Sequence, residues 1–203
     1  MDKRPLFITG IGTGVGKTIV SAILVEKLKA DYWKPIQSGD LDNTDTMMVR
    51  SLVSNSISKF HPEAYRLTQP FSPHKSAALD GITIDPEKIV APETDKQLVI
   101  EGAGGLMVPL NANFLMIDLI KKLDAEVVLV SQNYLGSINH TLLSIELLRN
   151  KGVHIRYLVF NGQTDEWSET VIKQYAGNTN VFRIPVFDEI ERQSIVMAAH
   201  VIF

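Results

Sequence analysis

The 203-residue sequence has no cysteine. Disulfides, thiolate metal sites and a thiol nucleophile are therefore excluded, and the composition suits a reducing compartment. No apolar stretch approaches the roughly 18 residues that a membrane-spanning helix requires. Positive charge is not in excess: 20 Lys and Arg stand against 23 Asp and Glu, a net charge of −3. Binding a phosphate backbone as a main activity needs a basic surface, so nucleic acid is not an expected partner. Arginine is sparse, with Arg4, Arg50, Arg66, Arg156, Arg183 and Arg192 scattered rather than clustered. There is no internal repeat, low-complexity tract or dividing linker. What is present is 45% hydrophobic residues, enough for one substantial core, so a single domain over residues 1–203 is expected. Met1-Asp2-Lys3-Arg4-Pro5 runs directly into an apolar strand, which reads as no signal peptide and a cytoplasmic protein.

The most informative segment is Thr9-Gly10-Ile11-Gly12-Thr13-Gly14-Val15-Gly16-Lys17-Thr18. It follows the apolar run Leu6-Phe7-Ile8 and precedes an apolar-periodic segment with Ile19, Val20, Ile23, Leu24 and Leu28. Strand, glycine-rich loop and helix, in that order, form the setting of a phosphate-binding loop. Glycines let backbone N–H groups turn toward an anion, and the helix N-terminus adds its unpaired donors and dipole. Lys17 is placed to reach β- and γ-phosphates, and the Thr18 hydroxyl to bind Mg²⁺. The usual G-x-x-x-x-G-K-[ST] pattern wants glycine at position 11, where this chain has Ile11.

Further apolar runs at Tyr32-Trp33, Gln97–Ile100, Glu126–Val130, Ile155–Phe160 and Val181–Ile184 read as strands. Helical patterns fall at Thr44–Leu52, Phe114–Leu123, Ile138–Asn150, Trp167–Tyr175 and Asp188–Ala199, and Pro62–Pro92 reads as loop-rich. Alternating elements with continuously apolar strands predict an α/β fold of the P-loop NTPase type: a parallel β-sheet flanked by helices on both faces. Ligands of such sheets sit beyond the carboxyl ends of the strands. The segments there are Thr9–Thr18, Lys34–Gly39, Glu101–Gly105, Ser131–Ile138, Asn161–Gln163 and Pro185–Phe187, and most are polar or glycine-rich.

Within them, Glu101 ends an apolar strand before glycines, the position of a second Mg²⁺ anchor in phosphate-loop enzymes. Mg²⁺ keeps waters and phosphate oxygens in its shell, so Thr18, Glu101 and one more carboxylate suffice, with Asp45 the candidate. Asn43-Thr44-Asp45 is equally an ordinary helix start. Lys34, before Pro35, could stabilise a transferring phosphoryl group or could be an ordinary exposed lysine. Ser38 could hydrogen-bond a substrate carboxylate or carbamate, though Gln37-Ser38-Gly39-Asp40 is also common turn chemistry. His74 reads as structural.

Taken together, these segments resemble the dethiobiotin synthetase family. Phe7-Ile8-Thr9-Gly10, Thr13 and Val15-Gly16-Lys17-Thr18 are similar to its phosphate loop, and Lys34-Pro35-Ile36-Gln37-Ser38-Gly39 to its lysine loop. Asn43-Thr44-Asp45, Ser72-Pro73-His74, Glu101-Gly102-Ala103-Gly104-Gly105 and Leu135-Gly136-Ser137-Ile138-Asn139-His140 follow in the family's order. The resemblance implies that ATP, CO₂ and 7,8-diaminopelargonate give dethiobiotin, ADP and phosphate. The route runs through a carbamate and a carbamic-phosphoric anhydride, with Mg²⁺ as cofactor. It implies that Lys17 and Lys34 neutralise the transferring group, that Thr13 and Ser38 contact carbamate or phosphate, and that Thr18, Asp45 and Glu101 hold the metal. Gly12, Thr13, Gly14, Val15, Gly16, Lys17 and Thr18 would cradle the nucleotide phosphates, Asn161 would read the adenine edge and Pro185 would line the base pocket. It further implies a homodimer in which Leu135, Gly136, Ser137, Ile138 and Asn139 complete the partner's site. Gly14 stands where some members carry a carboxylate, and Asn161-Gly162-Gln163 lacks a second Asn or Asp at its middle position. On residues alone, a Min/Par-type switch ATPase or a small-molecule kinase is the alternative; the first usually carries a lysine where this chain has Gly12, the second an arginine-rich lid.

Overall fold

The computed structural model describes residues 4–201. In chain order the elements are β1 (Leu6–Gly10), α1 (Lys17–Leu28), β2 (Asp31–Trp33), β3 (Ile36–Ser38), α2 (Asp45–Leu52), β4 (Phe60–His61), β5 (Tyr65–Leu67) and α3 (Pro73–Leu79). A 3₁₀ turn at Pro86–Lys88 leads to β6 (Leu98–Gly105), β7 (Pro109–Asn111), β8 (Phe114–Leu115), α4 (Met116–Lys122), β9 (Glu126–Gln132), α5 (Ser137–Asn150), β10 (Ile155–Asn161), α6 (Glu166–Ala176), β11 (Asn180–Arg183) and α7 (Arg192–Val201). Seven strands make one sheet in the order β11-β10-β9-β1-β6-β2-β4. Its pairings are parallel throughout.

The apolar strands dictate this arrangement. Phe7, Val127, Leu129 and Leu158 face a core covered by α3, α4, α5 and α6, to which Ala77, Leu119, Leu148 and Ile172 contribute. Leu6, Ile8, Val128, Val130 and Val159 point the other way, onto α1, α2 and α7 through Ile23, Val49 and Ile195. Strand side chains alternate between faces, so a strand apolar at every position needs cover on both sides. The predicted α/β class and two-sided cover are therefore found. Among the described residues no helix is long and apolar enough to cross a membrane.

β1 sits mid-sheet, with β6 on one side and β9 on the other. The chain builds outward through β2 and β4, returns with β6, then crosses to β9, β10 and β11. The phosphate loop thus leaves the sheet where the direction of winding changes, the usual place for a ligand crevice.

Boundaries shift where side-chain signals compete. Phe114 and Leu115 form a short antiparallel ladder with β7, so α4 begins at Met116 rather than at Phe114. The loop-rich reading of Pro62–Pro92 misses β5, which pairs with β3 in a separate two-stranded parallel sheet. It also misses α3, which starts with Pro73 in its first turn, where a missing N–H costs nothing. α7 starts four residues later than the pattern suggests, at Arg192.

Candidate active site

The carboxyl ends of β1, β2 and β6, the start of α2 and the segment before α3 enclose a cleft of about 790 Å³. The phosphate loop forms one wall. Gly16 caps α1 in the left-handed region, φ 96°, and Gly14 is also left-handed at φ 76°. A Cβ on Gly16 would lie 2.1 Å from the Asn161 amide nitrogen, so this approach admits only glycine. Asn161, at the end of β10, donates from Nδ2 to the Val15 carbonyl at 2.9 Å. Lys17 folds back over the loop and donates to the Gly12 carbonyl at 3.0 Å. Thr13, Gly14, Gly16, Lys17 and Thr18 all line the cleft.

The floor is a buried cluster of charges. Thr18, at the second position of α1, donates its hydroxyl toward Asp45 Oδ1 at 3.1 Å and Glu101 Oε1 at 3.0 Å. Lys34 Nζ lies 2.5 Å from Asp45 Oδ2 and 3.2 Å from Glu101 Oε1. Lys34 and Glu101 are 4% and 1% exposed, so neither is an ordinary surface charge. The alternative of a solvated lysine is thereby removed. Asp45 stands at the helix start that its segment suggests, with its carboxylate inside the charged cluster. Thr44 caps α2 by accepting from the Met47 N–H, and the first turn that follows aims the Asp45 carboxylate at Lys34 and Thr18. The Gln37 amide oxygen accepts from the Asp45 N–H at 3.4 Å and helps seat that turn.

The electrostatics follow from burial and pairing. Burial works against charge on Lys34, but Glu101 and Asp45 together outweigh it, and its pKa stands above the ordinary lysine value. Burial likewise opposes ionisation of Asp45, and Lys34, with help from Thr18 and Lys17, overcomes it and holds the carboxyl below its usual range. For Lys17 burial wins: the attraction of Glu101 does not compensate, Lys34 repels it, and its pKa is lowered. Lys34 is thus a fixed cation shared by two carboxylates, while Lys17 is a cation in want of an anion.

Thr18, Asp45 and Glu101 converge on one point with hard oxygen donors, which fits Mg²⁺. Among the described residues no group of three or more His, Cys, Asp or Glu forms a metal cage. A hydroxyl and two carboxylates suit a cation that retains waters and phosphate oxygens.

The other expected positions are more dispersed. Ser38 lines the cleft, and its Oγ is buried without a hydrogen-bond partner. Asn161 borders the cleft, whereas Pro185 is exposed and outside its lining, where Ile190 stands instead. Leu135 is fully exposed, Gly136 is left-handed at φ 104°, and Ser137 opens α5 as a buried residue. His74 accepts or donates at 3.1 Å to Ser72 and does not line the cleft. Beside Ile36 of the lysine loop, Met48, Phe71 and Val108 form an apolar part of the lining that no sequence motif marked. Tyr32 was legible only as a strand residue, yet its hydroxyl donates to Glu101 Oε2 at 2.9 Å. Its one signal was the two-residue spacing from Lys34, which puts both side chains on the same face of an extended segment.

A family model described as "AAA domain" matches residues 4–197. The chain is 56% identical to the ATP-dependent dethiobiotin synthetase BioD of Christiangramia forsetii over 189 residues, 92% of this chain and 91% of that one. It is 44% identical to the protein of the same name from Cytophaga hutchinsonii, covering 98% and 97% of the two chains. Among solved structures, a ParA family ATPase from Chlorobium tepidum superposes with a TM-score of 0.60 at 16% identity, covering 98% of this chain and 99% of that one. The cell division ATPase MinD of Pyrococcus furiosus gives 0.59 at 15% identity, with 97% of each chain covered. At such identities the two ATPases share the fold alone, so the sheet does not choose among activities. Identity of 44–56% over nearly the whole length does choose, and it agrees with the ordered motifs: the chain belongs to the ATP-dependent dethiobiotin synthetase family.

Proposed function

We propose that this protein converts 7,8-diaminopelargonate, CO₂ and ATP to dethiobiotin, ADP and phosphate, with one domain carrying the whole chemistry. The observation that carries this reading is the buried Lys34 held between Asp45 and Glu101 beside a phosphate loop. A carbamate is a poor electrophile until phosphorylated, and phosphoryl transfer calls for positioned charge rather than a protein nucleophile. The cleft supplies such charge. Loop N–H groups and Lys17 would bind the β- and γ-phosphates, and the lowered pKa of Lys17 is what an anion at that place would reverse. Lys34 would then face the carbamate oxygen and the transferring phosphoryl group from below. Ser38, with its Oγ unpaired, and Thr13 would bind the carbamate or phosphate oxygens. The apolar lining of Ile36, Phe71 and Val108 suits the methylene chain of the diamine.

Thr18, Asp45 and Glu101 would hold Mg²⁺, whose contribution is to neutralise phosphate oxygens as charge shifts between them. Lys34, held by both carboxylates, would present its ammonium to the reacting oxygen from within that cluster. Asn161 would meet the adenine edge: with one amide hydrogen committed to Val15, its Oδ1 is left to accept from an amino group.

A homodimer is part of this proposal. Leu135 is fully exposed, and on α5 Leu143 is left 61% exposed while Ile145 and Leu148 are buried. Gly10–Thr13, Gly105–Val108 and the exposed side of α5 surround a second depression of about 410 Å³. A second copy seated there would cover these apolar groups and bring Leu135–Asn139 to the neighbouring cleft. The decisive test is phosphate release with MgATP and bicarbonate. Release that requires 7,8-diaminopelargonate, with dethiobiotin in the mass spectrum, is expected; steady release indifferent to the diamine would replace the proposal with a switch ATPase.

A further inference from the structure

Glu101 is reached by three donors: Thr18 from α1, and Tyr32 and Lys34 from β2 and the residue directly after it. Oε1 accepts from Thr18 at 3.0 Å and from Lys34 at 3.2 Å, both of which face the cleft. Oε2 accepts from Tyr32 at 2.9 Å, on the side away from it. Tyr32 is 0% exposed, lies opposite Val99 in the β2–β6 ladder, and rests against Phe60 with ring centres 6.0 Å apart. Burial, and then the negative charge of Glu101, push its pKa well above the ordinary tyrosine value, so the phenol keeps its proton and acts as a donor.

We infer that Tyr32 is a positioning residue: its phenol clamps Glu101 Oε2 and thereby presents Oε1 to the Thr18–Lys34 side of the cleft. The physical reason is rotational. A carboxylate can turn about its last bond, and two donors on one oxygen do not stop it. A third donor, rigid and buried, on the opposite oxygen does. Without it Oε2 would be a buried anionic oxygen with no partner, which is costly enough to turn the group. Outer partners that orient a metal-binding carboxylate act in this way, and losing one weakens metal affinity roughly 10–100-fold. The inference rests on the proposed role of Glu101 toward Mg²⁺, so the experiment separates the two.

Tyr32→Phe deletes one oxygen and keeps the ring against Phe60. ADP binding would be titrated with and without Mg²⁺ by calorimetry, alongside kcat, KM and melting temperature, for the wild type, Tyr32→Phe, Glu101→Gln and the double variant. In Tyr32→Phe, metal-free ADP affinity should hold within about twofold while the Mg²⁺ midpoint rises roughly 10–100-fold. Added to Glu101→Gln, the same change should shift the midpoint no further, because Tyr32 acts through Glu101. A normal midpoint in Tyr32→Phe beside a shifted one in Glu101→Gln overturns the role of Tyr32 alone. A lower melting temperature with a normal midpoint marks a merely structural phenol and overturns it equally. Normal midpoints in both single variants remove Glu101 from the metal, and the inference with it.

Discussion

Two buried carboxylates sit at opposite ends of the same pair of strands, and their donors differ in kind. Asp31 begins β2. It accepts from the Lys59 backbone N–H at 2.8 Å, Thr94 Oγ1 at 2.8 Å and Lys96 Nζ at 3.2 Å, with His61 Nε2 3.5 Å away. Burial alone would raise its pKa, but these donors together bring it below the usual range. Glu101, beyond the opposite end, takes its donors from side chains alone, and two of the three line the cleft. The first centre is closed and ties β2 to the loops beneath the sheet. The second is open, since each cleft-facing donor can be drawn away by a ligand. The comparison separates a carboxylate that holds the fold from one that awaits chemistry, although both are 1% exposed.

Breaking the open centre should have the largest effect. Lys34→Ala should lower kcat by roughly a thousandfold, the upper range for losing a preorganised charge, while ADP affinity stays within a few-fold. Steady-state rates and a binding isotherm on the same preparation check this, and full activity would remove Lys34 from the chemistry. Breaking the closed centre should do the reverse. Asp31→Ala leaves the Lys59 backbone N–H and Thr94 without their acceptor and takes the carboxylate from Lys96, and should cost about 3 kcal/mol in urea unfolding with kcat unchanged below the melting transition. A lost kcat with unchanged stability would invert the comparison.

The smallest effect comes from a third carboxylate that sharpens the rule. Glu26 on α1 accepts from the backbone N–H groups of Ser54 at 2.7 Å and Asn55 at 3.1 Å, and pairs with Lys29. Burial opposes its ionisation, yet Lys29 and these donors lower its pKa to about 2. A depressed folded-state pKa means that this stabilisation is complete above the ordinary value of about 4.5 and fades as the pH falls toward about 2. Glu26→Gln should therefore lose about 1 kcal/mol at neutral pH and show a shallower decline of stability in that acid window. Unfolding curves at several pH values measure both, and an unaltered acid profile would disprove the assignment.

The open centre was far more legible in the sequence than the closed one. Lys17, Thr18, Lys34 and Glu101 each come after an apolar run in the sequence, and the rule that ligands gather there singles them out, although β6 itself continues through Glu101 to Gly105. Asp45 was legible as a helix start or a ligand, and the helix start is what aims its carboxylate at Lys34 and Thr18. Tyr32 was hidden because its partner lies 69 residues away and meets it only when β2 and β6 align. The apolar lining was hidden for the same reason: Met48, Phe71 and Val108 come from separate segments with no spacing in common. β3, β5 and α3 escaped because they are short, and at that length periodicity cannot be told from loop.

The central place of β1 has a consequence for synthesis on the ribosome. Leu6 pairs with Val99 on one side and Glu126 on the other, so the first strand made acquires its neighbours only after more than half of the chain has emerged. The phosphate loop hangs from that strand, and Ile11 is fastened to the Val130 carbonyl at 3.0 Å. A nascent chain stalled before β9 would thus lack the strand to which the glycine-rich loop is fastened. The frame of the loop is complete only when β9 and, through Asn161 on the Val15 carbonyl, β10 have joined the sheet.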